Sequence, residues 1–142
     1  MLMDAQNRPS LNQSLVGTGT IVSTDSIDML SPSDNIGRSG MPMRMFAGIT
    51  AALAGATSVQ AQLIESANSN LSSPNVLASG PVVLLAAATL GGILLDVPMP
   101  DTAARYLGTQ YIVVGTATGG TVTSGVVGST DRGSRFIPMN LG

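Results

Sequence analysis

The chain has 142 residues, only 10% of them charged, with a net charge of −2 and no histidine, cysteine, tryptophan or lysine. That inventory excludes a disulfide framework and a thiolate metal site, and it removes the usual neutral-pH base. The six arginines, set against seven aspartates and the single Glu65, form no clustered basic run of the kind that binds nucleic acid. An ordinary soluble domain is about 25% charged, so a surface this poor in charge is expected to be covered in part by other subunits.

In chain order, residues 1–17 read as an N-terminal arm containing Arg8-Pro9-Ser10 and several amides. Met1 to Pro9 has no basic region followed by an apolar run, the pattern of a secretory leader. Thr20 to Met29 is the first strand candidate, with Ile21, Val22 and Ile27 as its apolar positions. Ser31 to Asn35 is a loop, because Pro and Asx residues favour turns. Pro42 to Ile49 is a strand, and the small, glycine-interrupted Ala51 to Ala56 reads as a turn. Val59-Gln60-Ala61-Gln62-Leu63 alternates with period two, which puts Val59, Ala61 and Leu63 on one face. A helix over Ala47 to Ala61 is the competing assignment, weakened by Gly48, Gly55, Thr50, Thr57 and Val59.

Glu65 to Asn75 is a polar loop. The next twenty residues, Val76 to Leu95, carry no charge and are long enough to span a bilayer. Gly80-Pro81 and Gly91-Gly92 cut them into strand-sized pieces instead, Val76–Ser79, Val82–Ala86 and Gly92–Val97, and no basic cluster flanks them to set an orientation. Pro98 and Pro100 stop the last piece. A short helix over Thr102 to Tyr106 is possible. Arg105 to Thr116 is the longest strand candidate, Gly119-Gly120 reads as a hairpin turn, and Thr121 to Gly128 as the returning strand. About eight short strands bounded by turn residues predict an all-β protein, a jelly-roll-like antiparallel sandwich. The predicted organisation is an arm at 1–17, a sandwich domain at 18–130 and a C-terminal tail at 131–142.

Candidate chemistry is sparse. Asp25 and Asp28 would point to opposite faces of a strand, and Asp96 and Asp101 read as turn caps. Asp25, Ser26 and Asp28, or Ser33, Asp34 and Asn35, could offer oxygens to calcium but fit turn chemistry equally well. The run Gly115 to Gly120 lies between strands and lacks the helix that a phosphate or dinucleotide loop requires. No enzyme activity, cofactor or metal is expected. Met41, Met43 and Met45 cluster, as adaptable thioethers do in cores and at contacts. Basic residues that are all arginine also point to interfaces, where the guanidinium forks onto carboxylates and carbonyls.

In order along the chain stand Leu2-Met3-Asp4-Ala5-Gln6, Ser26-Ile27-Asp28-Met29, Asp34-Asn35-Ile36-Gly37, Val59-Gln60-Ala61-Gln62-Leu63, Leu71-Ser72-Ser73, Val97-Pro98-Met99-Pro100, Arg105-Tyr106-Leu107 and Thr121 to Val127. In that order and spacing the chain resembles the capsid cement, or decoration, proteins of short-tailed bacteriophages, over most of residues 2–128. The resemblance implies a jelly-roll fold and a structural virion protein on the outer surface of the capsid shell. Such a protein would bridge neighbouring major capsid subunits and resist internal DNA pressure. The implied partners are the major capsid protein and the chain itself, as a homo-oligomer (dimer or trimer), with no nucleic acid and no membrane. The expected contact residues are Asp4, Gln6, Arg8, Arg44, Arg105, Arg132, Arg135 and Phe136. Asp131 to Met139 matches nothing in that pattern. The rival reading is a head fibre or a glycan- or receptor-binding sandwich, for which Phe46, Tyr106, Tyr111 and Phe136 are the only aromatic side chains.

Overall fold

The computed structural model describes residues 8–29, 43–100 and 103–128. These form eight strands: β1 (Ser10–Ser14), β2 (Gly17–Val22), β3 (Ile27–Asp28), β4 (Met43–Ser66), β5 (Asn75–Ser79), β6 (Val83–Leu84), β7 (Ile93–Pro98) and β8 (Tyr106–Gly128). A 3-10 turn, Leu85–Ala87, lies between β6 and β7. Every pairing is antiparallel. The architecture is therefore the all-β antiparallel sandwich that the sequence predicts, with no α-helix at 47–61 or, among the described residues, at 103–106.

The path of the chain differs from the expected series of short strands. β4 and β8 are single strands of 24 and 23 residues, paired from Met43↔Gly128 to Ser66↔Tyr106. The expected turn at Ala51–Ala56 lies inside β4, and the expected Gly119-Gly120 hairpin lies inside β8. A straight 24-residue strand would be roughly 80 Å long, while a chain of this size packs to a radius of gyration of about 14 Å. The ribbon must bend, and it does so where the sequence is small. All four register shifts between β4 and β8 fall between Ile49 and Ser58. There Gly55 sits at φ +81°, and a Cβ on it would meet the Thr116 carbonyl oxygen and Thr118 Oγ1 at 2.8 Å. What reads locally as turn chemistry is used to fold one ribbon over on itself.

The bend makes two layers from one sheet. The first holds β7, the early part of β4, the late part of β8 and β1; the second holds β5 and β6, the late part of β4, the early part of β8, and β2 and β3. Period-two alternation fills the space between them. Met45, Ala47 and Ile49 from the first layer join Val59, Ala61, Leu63, Leu107, Tyr111 and Val113 from the second in one buried cluster. Val59, Ala61 and Leu63 share the inward face, as their alternation predicts. Gln60 and Gln62 face out, donating to the Gly80 carbonyl oxygen (2.9 Å) and to Ser79 Oγ (3.0 Å).

The N-terminal part of the chain is also more integrated than an arm. Pro9 and Ser10 are buried, β1 pairs with β8 through Ser10↔Ser124 and Ser14↔Thr121, and Leu15 is 1% exposed. Few large apolar residues are needed there because a strand at a sheet border is recruited mainly by backbone hydrogen bonds. Residues 1–7 and the tail at 131–142 lie outside the described residues.

Candidate interaction surfaces

Of the eight residues expected to make contacts, Asp4, Gln6, Arg132, Arg135 and Phe136 lie outside the described residues. Arg44 and Arg105 are each taken up in a separate ion pair. Arg44, near the start of β4, reaches across the β4–β7 pair: its Nε donates to Asp96 Oδ1 at 2.7 Å and its Nη2 to the Asp96 carbonyl oxygen at 3.0 Å. Asp96 thus sits within β7 as an ion-pair partner and is not a turn cap. Arg105 forks onto both oxygens of Asp28, at 2.7 and 2.8 Å, and lies 5.2 Å from the Tyr106 ring centroid. The hydrogen bond and charge of Asp28 raise the Arg105 pKa further. Both guanidinium groups clasp strand ends, one in each layer, a role their sequence context did not reveal. Arg8 is half-buried just ahead of β1.

The buried carboxylate is Glu65, 3% exposed. Its Oε2 accepts the backbone N–H groups of Ala103 (2.8 Å) and Ala104 (3.1 Å). It therefore anchors the connection from β7 to β8. Among the described residues no group of three or more His, Cys, Asp or Glu side chains could hold a metal ion. No helix there is long and apolar enough to cross a membrane.

A polar network that the sequence reading missed runs through the core. Ser10, Thr109 and Ser124 are fully buried beside Tyr111. Ser10 Oγ donates to Gln13 Oε1 at 2.6 Å, and an amide oxygen can only accept. Ser10 must then accept from Tyr111 (2.9 Å). With one proton per hydroxyl, Thr109 donates to Tyr111 and Ser124 to Thr109, each at 2.9 Å. The Gln13 amide is oriented by Thr24 N–H donating to its Oε1 and by its own Nε2 donating to the Val22 carbonyl oxygen. The chain links β8 in both layers to β1. Burial raises the Tyr111 pKa, and the bonds from its hydroxyl neighbours oppose that shift. The available signal was Thr109 and Tyr111 at period two between Leu107 and Val113, polar groups on an otherwise apolar face.

Charge is sharply segregated. Every charged residue of the sequence falls in 4–8, 25–44, 65, 96–105 or 131–135. The described ones cluster at the end where β4 begins and β8 both begins and ends. Met99 pairs there with Met43 by a backbone bond, and Ala103, four residues on, is held by Glu65 at the other layer. Four residues span at most about 14 Å, so the two layers share this open end. Among the described residues the opposite end, the bend, carries no charge.

Near the bend the outward face is apolar and hollowed. Phe46, Gly48 and Thr50 face out while their neighbours face in. The cross-strand partners of Gly48 are Ile93 and Thr123. The Phe46 ring leans over Gly48, 2.9 Å from where a Cβ would stand, and beside it is a hollow of about 220 Å³ lined by Phe46, Gly48, Ile49, Thr50, Gly91 and Thr123. The adjoining segment 82–93 supplies five exposed large apolar residues: Val82, Leu84, Leu85, Leu90 and Ile93. A second, polar hollow of about 480 Å³ lies between the Ala67–Ser72 loop and Tyr106. Asn68 and Asn70 there are already engaged with Ser72.

The family model described as Bbp16 matches residues 11–126. No curated protein matches the chain.

Proposed function

We propose that this chain, which belongs to the Bbp16 family, is a structural virion protein that binds the outer surface of a tailed-phage capsid. There it would cement neighbouring major capsid subunits against internal DNA pressure, acting as a homo-oligomer and without catalysis. The observation that carries this reading is the distribution of polar groups. The buried ionisable and hydroxyl groups are spent on holding the fold, at Glu65 and at the Ser10–Tyr111–Thr109–Ser124 chain. The outer face offers instead apolar area around Gly48 and segment 82–93. Cementing needs area: a specific interface buries ~1,600 Å² in total, and symmetric repetition adds avidity.

The test is occupancy on capsids lacking this protein, together with the resistance of DNA-filled heads to heat. Saturable binding and a raised rupture temperature are expected. Removing residues 1–7 should lower occupancy and leave folding unchanged, since β1 and Ser10 are retained. A deletion to residue 12 would remove Ser10 from the core and confound folding with contact. Full-length protein that leaves capsids bare at saturating concentration overturns the reading.

A glycan- or receptor-binding module is the second reading. It is favoured by the polar hollow beside Tyr106 and opposed by Arg105 stacked over that ring. A glycan-array signal lost in Tyr106→Ala would support it.

A further inference from the structure

We infer that the outward face of the first layer is a self-complementary contact, in which Leu90 of one copy fills the Gly48 hollow of a second copy and the exchange is mutual. The inference deepens the homo-oligomer of the proposed function but needs no capsid.

Three observations meet at this place. Leu90 is 73% exposed, the most exposed of the large apolar side chains among the described residues. It stands in the turn that brings the chain into β7, where Gly91 N–H donates to the Ile49 carbonyl oxygen and Ile49 N–H to that of Gly92. The knob is therefore fixed to the sheet by two backbone bonds. The hollow begins at the next residue, since Gly91 is part of its lining. Its volume of about 220 Å³ accommodates an aliphatic side chain, and it is walled by Phe46, Ile49, Thr50 and Thr123, while the 50%-exposed Ile93 is the cross-strand neighbour of Gly48.

A knob beside a hole is the arrangement that a two-fold axis closes, because residue i of one copy then meets residue j of the other and the reverse. In its own copy Leu90 stays 73% exposed and is not part of the lining of the adjacent hollow. Charge also selects the occupant. Segment 66–95 has no ionisable residue, and the nearest charges, Arg44 and Asp96, neutralise one another at the border. A second copy can approach without placing like charges opposite and without burying an unpaired one.

The neighbouring strands leave no easier route. Register shifts interrupt β1, β2, β5 and β7, and such irregularities blunt edge-to-edge addition. Association is thereby directed to a face.

The experiment is sedimentation equilibrium of the full chain with three variants: Leu90→Asp, Leu90→Ala, and Gly48→Val, which must push the Phe46 ring aside into the hollow. Wild type should be a dimer. Leu90→Asp should raise its dissociation constant roughly a hundred-fold or more, in the range of a central interface anchor, and Leu90→Ala by less. Gly48→Val should also weaken it, while a mixture of Leu90→Asp and Gly48→Val should recover a heterodimer, since one knob and one hole remain matched. Diluted until all are monomeric, both leucine variants should melt at the temperature of wild type, because within one copy the side chain lies in solvent; at higher concentration only wild type should gain stability from association. A monomeric wild type, a closed trimer, or a dimer indifferent to Leu90→Asp would each overturn the contact. Capsid occupancy of the same variants separates the two claims: a broken dimer that still binds capsids defeats only this contact, and an intact dimer that never binds them defeats only the cementing.

Discussion

The two ends of the sandwich solve opposite problems with opposite chemistry. The open end, where strands start and stop, is closed by charge. Arg44–Asp96 and Arg105–Asp28 clasp neighbouring strands, and Glu65 ties down the β7–β8 connection. The bend end has no strand termini in β4 or β8 and therefore needs no clasps. It needs room, and it gets it from Ala51 to Ala56 and from glycines in strained or close-packed positions. The lesson is that charge here marks where the two long strands start and stop, and its absence marks the stretch where both run on through the bend.

That contrast can be broken deliberately. The largest effect is expected at the bend. Gly55→Val combines a left-handed backbone with a clash against Thr116 and Thr118, and should cost about 3 kcal/mol in chemical denaturation. Gly91→Ala keeps the positive φ but has open space around it. It should cost only about 1 kcal/mol, which would isolate the clash from the strain.

Next in size is the hydroxyl chain that spans both layers. Tyr111→Phe removes the donor to Ser10 and the acceptor for Thr109, and should cost about 1–3 kcal/mol. Its pH signature is separate. The folded state holds the Tyr111 proton more tightly than the unfolded state, whose phenol has a pKa of about 10. Stability from this group is complete below that value and declines as pH rises through it toward the higher folded pKa. The alkaline decline measured by denaturation should be shallower in Tyr111→Phe. With no histidine, cysteine or lysine side chain, little change is expected between about pH 6 and 9.

The smallest effects belong to the open end. Arg105→Ala removes a solvent-exposed pair and should cost about 0.2–1 kcal/mol, less at high salt. Arg44→Ala should cost more than Arg105→Ala, since its ion pair is better covered. If Arg105→Ala proves as damaging as Gly55→Val, the division between the two ends fails.

Much of the strand content was legible from residue type and period. Val59, Ala61 and Leu63 declared an inward face by alternation alone, and Gly80-Pro81 with Gly91-Gly92 divided the long uncharged stretch where the chain does leave one strand for the next. The contact residues were less legible. Arg44 and Arg105 are recognisable as arginines suited to interfaces, yet their partners lie 52 and 77 residues away. The Gly48 hollow had no sequence signal, because it is defined by what flanks a glycine on two other strands.

By itself, the sequence determined the class and the chemistry: period-two apolar runs must bury one face in a sheet, and absent His, Cys and Lys cannot be replaced by folding. Only the tertiary structure decided connectivity. Small residues at 51–56 and 115–120 permit either a tight turn or a bend within a strand, since both need the same backbone freedom. The choice fell to long-range pairing of β4 with β8, which satisfies backbone hydrogen bonds along the whole ribbon and makes one folded strand pair serve both layers.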